Sequence, residues 1–158
     1  MSEVIESLMS IISSKISKCD DLINLGKPEL SLVYLRKANE ALTNFLADTA
    51  NISRYDEQGH LIFGAKLIWS KGMKNKYQNF TLKKLDKINE LTRSHVHLKS
   101  EEESTELLSS IHRNRIEIIS LIDEIIKHEI NADFKIDRVE NHIVHNIGQL
   151  QGGKLFDK

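Results

Sequence analysis

The sequence predicts an all-α protein: an antiparallel bundle of four main helices with one or two short additional helices. Apolar residues recur at spacings of three and four along four long stretches, which is the period of an amphipathic helix. Glycine and the single proline fall between the first two of these stretches, and a helix-capping pattern precedes the longest. With 158 residues, 40% of them hydrophobic, the chain has the size of one domain that can bury a core.

Helix one is expected at residues 2–25 and helix two at residues 28–51. Gly26 ends the first, and Pro28 suits the first turn of the second, so the short turn makes the two antiparallel neighbours. In helix two the inward side chains are expected to be Leu32, Leu35, Ala38, Leu42, Phe45, Leu46 and Thr49, with Arg36, Lys37, Asn39, Glu40 and Asn44 outside or on the flanks.

Residues 51–60 contain turn formers, and residues 61–69 form the most apolar window of the chain. A strand and a helix both fit so short an apolar run, and we favour a helix that closes one end of the bundle. Residues 71–79 are expected to be a cationic connector.

Two further helices are expected, at residues 81–93 and 101–130, separated by a loop at 95–100. Ser100 is the expected N-cap of the longer one, whose core stripe is Leu107, Leu108, Ile111, Ile118, Leu121, Ile122, Ile125 and Ile126. Residues 134–150 have helical spacing, and Gly148, Gly152 and Gly153 loosen the far end of this segment. We therefore expect one domain at 1–150 and a flexible tail at 151–158.

Composition excludes several classes of protein. A formal net charge of −1 argues against a DNA-coating or polybasic membrane-surface protein. One cysteine, Cys19, cannot form an internal disulfide and is expected in the core, which favours a reducing, cytoplasmic setting. The sequence lacks a signal peptide pattern, a membrane-length apolar run, a phosphate-binding glycine loop and a nucleophile elbow.

Neither the carboxylate pairs nor the histidines indicate a metal or cofactor site. The pair at Asp20 and Asp21 is expected on a solvated face, and the acids at 101–103 in a helix cap. Seven histidines are present, but pairs such as Glu124 and His128, four apart on a helix, are common coincidences. We expect no metal and no cofactor.

The most specific local feature is the end of the helix at 81–93, where Arg93, His95 and His97 follow one another. Histidine can take the proton of an RNA 2′-hydroxyl or protonate the leaving oxygen, and arginine can stabilise the charged phosphorus centre. These are the candidate catalytic residues. The plainer alternative is a basic helix end that complements the helix dipole. Lys71, Lys74 and Lys76 with Tyr77 form the candidate RNA-binding set, or a solvated loop.

Two segments resemble the HEPN superfamily of helical bundles, which is common in defence and toxin systems: LVYLRKANEAL at 32–42 and TLKKLDKINELTRSHVH at 81–97. The resemblance covers residues 30–130 and implies a helical bundle with a metal-independent endoribonuclease site. Catalytic members have four to six residues between arginine and histidine. Three separate Arg93 from His97, whereas RVENHIVH at 138–145 has six but lies in the tail. Some branches of the superfamily lack the motif and serve as binding or dimerisation modules.

Two functions therefore stand. The first is a HEPN-like domain of a bacterial or phage defence system that binds RNA or a partner protein and cleaves RNA through Arg93 with His97 or His95, with dimerisation joining two motifs in one composite site. The alternative is a non-catalytic accessory or immunity-type module that recognises a protein. A homodimer through helix one or the histidine-bearing end fits either. A ligand pocket at Phe63 and Trp69 is a third interpretation, although both residues are more simply core.

Overall fold

Six helices form the part of the chain that the computed structural model describes, residues 3–93 and 101–130, with side chains described at 3–93 and 106–130. They are α1 (Glu3–Asn24), α2 (Pro28–Thr49), α3 (Ala65–Ile68), α4 (Lys71–Lys76), α5 (Asn79–Leu91) and α6 (Glu101–Glu129). Four are long, so the all-α bundle is confirmed. The predicted loop at 95–100, its Ser100 cap and residues 134–158 lie outside the described residues.

The turn between α1 and α2 has the predicted chemistry. Gly26 has a φ of 78°, a left-handed conformation that favours glycine, and the Lys27 amide donates to the carbonyl of Leu22 at 2.8 Å. Pro28 is the first residue of α2, where its missing N–H costs nothing. The turn folds α2 back along α1, and this pair has the most extensive contact in the bundle.

The other two long helices, α5 and α6, are also antiparallel, because contacts between them run in opposite chain order. Thr81 contacts Glu129, Lys84 lies 3.3 Å from Glu124, and Asn114 donates to the Leu91 carbonyl at 3.2 Å. Both helices pack on α2 as well as on each other. Leucine and isoleucine from all four long helices fill the core between them.

The segment between α2 and α5 departs from the sequence prediction in two places. Only residues 65–68 of the apolar window are helical, while Leu61 forms an isolated antiparallel bridge with Tyr55. The expected cationic connector is instead helix α4. Its amide at Met73 is capped by the Ser70 hydroxyl, and the Met73 side chain is fully buried.

Several burial predictions are wrong in the same way, since periodicity ranks residues by polarity. Asp20 and Asn39, expected outside, are almost fully buried because each has a polar partner on another helix. Leu108, Phe63 and Thr49, expected inside, are exposed, whereas Cys19 is buried as predicted. None of the described helices is long and apolar enough to cross a membrane.

Candidate functional site

One end of the bundle collects arginine side chains. Arg36 of α2 contacts the last turn of α5, Arg93 follows that turn, and Asn114 of α6, which contacts the same turn, lies between Arg113 and Arg115. These are four of the five arginines in the described part of the chain, and we call this region the arginine end. Guanidinium groups bind phosphate and carboxylate oxygens through paired hydrogen bonds, so such an end suits an anionic partner.

Arg36 secures the end of α5. Its Nε donates to Thr92 Oγ1 at 3.1 Å, and its Nη2 donates to the carbonyl oxygen of Asn89 at 2.8 Å. One helical turn further along α2, the amide of Asn39 donates to the Leu85 carbonyl at 3.0 Å and to Asn89 Oδ1 at 2.9 Å. Carbonyls at the end of a helix lack partners within it, and these two side chains of α2 occupy two of the last carbonyls of α5.

Arg93 is the candidate catalytic residue that the structure places. Its side chain is exposed, and its amide donates to the Glu90 carbonyl at 3.3 Å just beyond the last turn of α5. Arg113 is also exposed, one residue from the Asn114 that bonds to α5. The two remaining candidates, His95 and His97, lie outside the described residues.

A buried ion pair lies behind this surface. Arg115 of α6 and Asp20 of α1 are 0% and 1% exposed, and the guanidinium contacts the carboxylate. Nε and Nη1 of Arg115 have no hydrogen-bond partner within the described residues. Burial lowers the pKa of Arg115, and Asp20 opposes that shift. Burial also raises the pKa of the neighbouring Cys19 thiol to about 12, which makes it a poor nucleophile.

His112 is the histidine that the structure brings nearest to these arginines. It lies one helical turn before Arg115, is 8% exposed, and has no described hydrogen-bond partner at Nδ1. Burial, and secondarily the charge of Arg115, lower its pKa below 6.5, so the imidazole is neutral at pH 7.

The structure separates the candidate RNA-binding set from Arg93. Lys71, Lys74 and Lys76 are exposed on α4, which precedes α5, while Arg93 follows the far end of α5. The hydroxyl of Tyr77 donates to the Leu46 carbonyl at 2.5 Å, which half-buries the ring against α2. Leu46 and Arg36 lie ten residues apart on α2, about 15 Å along its axis. The lysines and Arg93 therefore do not form one compact site.

Residues of the site that the sequence analysis missed share a common reason. Arg36 and Asn39 were expected to be solvated, and Arg115 and His112 interrupt an apolar stripe. The available signal was a polar residue at a core position, which requires a buried partner. The sequence could not identify that partner, because it lies on another helix.

Within the described side chains, no three histidine, cysteine, aspartate or glutamate residues are grouped closely enough to hold a metal ion. No protein-family model matches the chain, and comparisons with curated proteins and with solved structures give no significant match. The arginine end therefore has to be interpreted from its own chemistry.

Proposed function

We propose that this protein is a HEPN-like helical domain of a bacterial or phage defence system that binds RNA at the arginine end. In this proposal Arg93, with His97 or His95, cleaves the bound RNA without a metal ion. The observation that carries it is the exposed Arg93 at the end of α5, where Arg36 and Asn114 bond to the last turn from two other helices.

This arrangement supports phosphate binding for a physical reason. A guanidinium loses less entropy on binding a phosphate when the backbone that carries it is already fixed. Arg93 and Arg113 are exposed, whereas Arg36 and Arg115 are engaged within the bundle. The first pair would contact the RNA backbone and the second would support the surface. A histidine beside them would transfer protons during cleavage.

The first test is binding of a 5′-labelled single-stranded RNA by the purified protein. We expect the double substitution Arg93→Ala/Arg113→Ala to raise the dissociation constant at least about tenfold and to flatten its salt dependence. The matched control is Arg54→Ala, because Arg54 is the described arginine outside the arginine end, paired with Asp48 at 3.0 Å. RNA binding that is equally affected by the control, or by neither variant, contradicts the proposal.

Cleavage is tested separately, by incubating the same RNA in EDTA with wild type and with His95→Ala/His97→Ala. Loss of cleavage in the variant alone supports a metal-independent ribonuclease at this end. RNA binding without cleavage by either protein limits the function to binding.

A non-catalytic protein-interaction module is the second candidate. Exposed apolar side chains on the α1–α2 pair, among them Val4 at 62% and Leu25 at 70%, favour it. A stoichiometric complex with a protein, insensitive to salt and to Arg93→Ala/Arg113→Ala, would support this candidate over RNA binding.

A further inference from the structure

The outer face of the α1–α2 pair exposes more apolar surface than the rest of the described chain. Of the eleven exposed large apolar side chains in that part of the chain, five belong to this pair and its turn: Val4, Ile11, Leu25, Leu30 and Val33. On α2, residues at spacings of three and four form one outward stripe, namely Leu30, Val33, Lys37, Ala41, Asn44 and Asp48. Contiguous exposed apolar surface of this kind marks an interaction site.

This face has a recess at one half and protruding side chains at the other. A groove of about 530 Å³ lies between the first turns of α1 and the last turns of α2, lined by Val4, Leu8 and Ile11 on one side and Ala41, Asn44 and Phe45 on the other. Near the turn that joins the helices, Leu25, Leu30 and Val33 are exposed instead.

We propose that a second copy of this chain covers the face, in an antiparallel two-fold dimer. A two-fold interface uses the same patch on both subunits, so the patch must be complementary to itself. Val33 lies five to six residues from the middle of α2 on one side, and Asn44 lies the same distance on the other, about 8 Å each way. Rotation about that middle places Leu30 and Val33 of each copy over the groove of the other.

The area of the face is sufficient for a stable dimer. Each of the two helices has 22 residues, which gives a face about 33 Å long and, for two helices side by side, about 20 Å wide. Pairing of two such faces buries roughly 1,300 Å² in total, above the 1,000 Å² or so that a specific interface requires.

The dimer does not rest on the RNA function proposed above. Arg36 lies in the half of α2 near the turn, so the antiparallel arrangement places the two arginine ends at opposite ends of the interface. Each arginine end then works alone. This differs from the composite site expected from the sequence.

The first experiment measures molecular mass by light scattering during size-exclusion chromatography, over a range of protein concentrations. We expect wild type to be a dimer, and Ile11→Glu and Val33→Glu to raise its dissociation constant at least about tenfold, because each buries a charge in the interface. The control is Ile116→Glu, a half-exposed isoleucine on α6 that lies off this face. A monomeric wild type, or a dimer unaffected by both face variants, overturns the proposal. Circular dichroism confirms that each variant is folded.

A cross-link tests the antiparallel register. The double variant Val33→Cys/Asn44→Cys has its introduced thiols eleven residues apart on α2, about 16 Å within one copy, too far for an internal disulfide. In the antiparallel dimer, the thiol at position 33 of one copy meets the thiol at position 44 of the other, so oxidation yields a covalent dimer on a denaturing gel. Val33→Cys alone is expected to remain uncross-linked, and buried Cys19 does not compete. Cross-linking of the single variant, or none in the double variant, overturns the register.

Discussion

His112 gives the clearest pH dependence at the scale of a single residue. Its native pKa lies below 6.5, whereas in the unfolded chain the imidazole takes up a proton near its ordinary value. The unfolded state therefore binds more protons as the pH falls through 6.5, and the stability conferred by the neutral side chain decreases over that range.

We expect His112→Gln to weaken the decrease in stability between pH 7 and pH 5, measured as the urea midpoint by circular dichroism. His60→Gln is the control, because the His60 side chain is 75% exposed. If wild type and His112→Gln lose stability in parallel over this range, His112 is not neutral by burial in the native state.

At the scale of the element, Arg36 determines how α5 ends. Arg36→Met retains much of the side-chain volume and removes both hydrogen bonds to Thr92 and Asn89. We expect a loss of about 1–3 kcal/mol in the free energy of unfolding, because bonds from a charged donor are the stronger class. Amide exchange should also accelerate at Thr92, while Lys37→Met, one residue away and exposed, leaves that exchange unchanged. Equal exchange in both variants would mean that Arg36 does not hold this turn.

The elements themselves were largely predictable from the sequence. Long periodic stretches and the Gly26–Pro28 turn gave α1, α2, α5 and α6 to within two residues or so at each end. Helix α4 escaped because its six residues contain one buried side chain, Met73, which is too few to show a period. At the candidate site, Arg93 was recognisable from its chain neighbours, whereas Arg36 acts through residues 53 and 56 positions away.

At the scale of the whole molecule, the Asp20–Arg115 pair joins α1 to α6. The contacts of α1 are otherwise mainly with α2, so this pair is the notable link between the first helix and the last described one. Both side chains are withdrawn from water, and breaking such a pair from one side leaves a buried charge uncompensated.

We expect Asp20→Asn and Arg115→Met each to cost about 3–5 kcal/mol in the free energy of unfolding, a large share of the 5–15 kcal/mol or so typical of a domain. The double variant Asp20→Asn/Arg115→Met should cost clearly less than the two single losses together, since it leaves neither charge in the core. Urea unfolding of all four proteins gives the coupling energy of the cycle. Additive losses would mean that the two groups are stabilised independently, and that the link between α1 and α6 is made by their apolar neighbours alone.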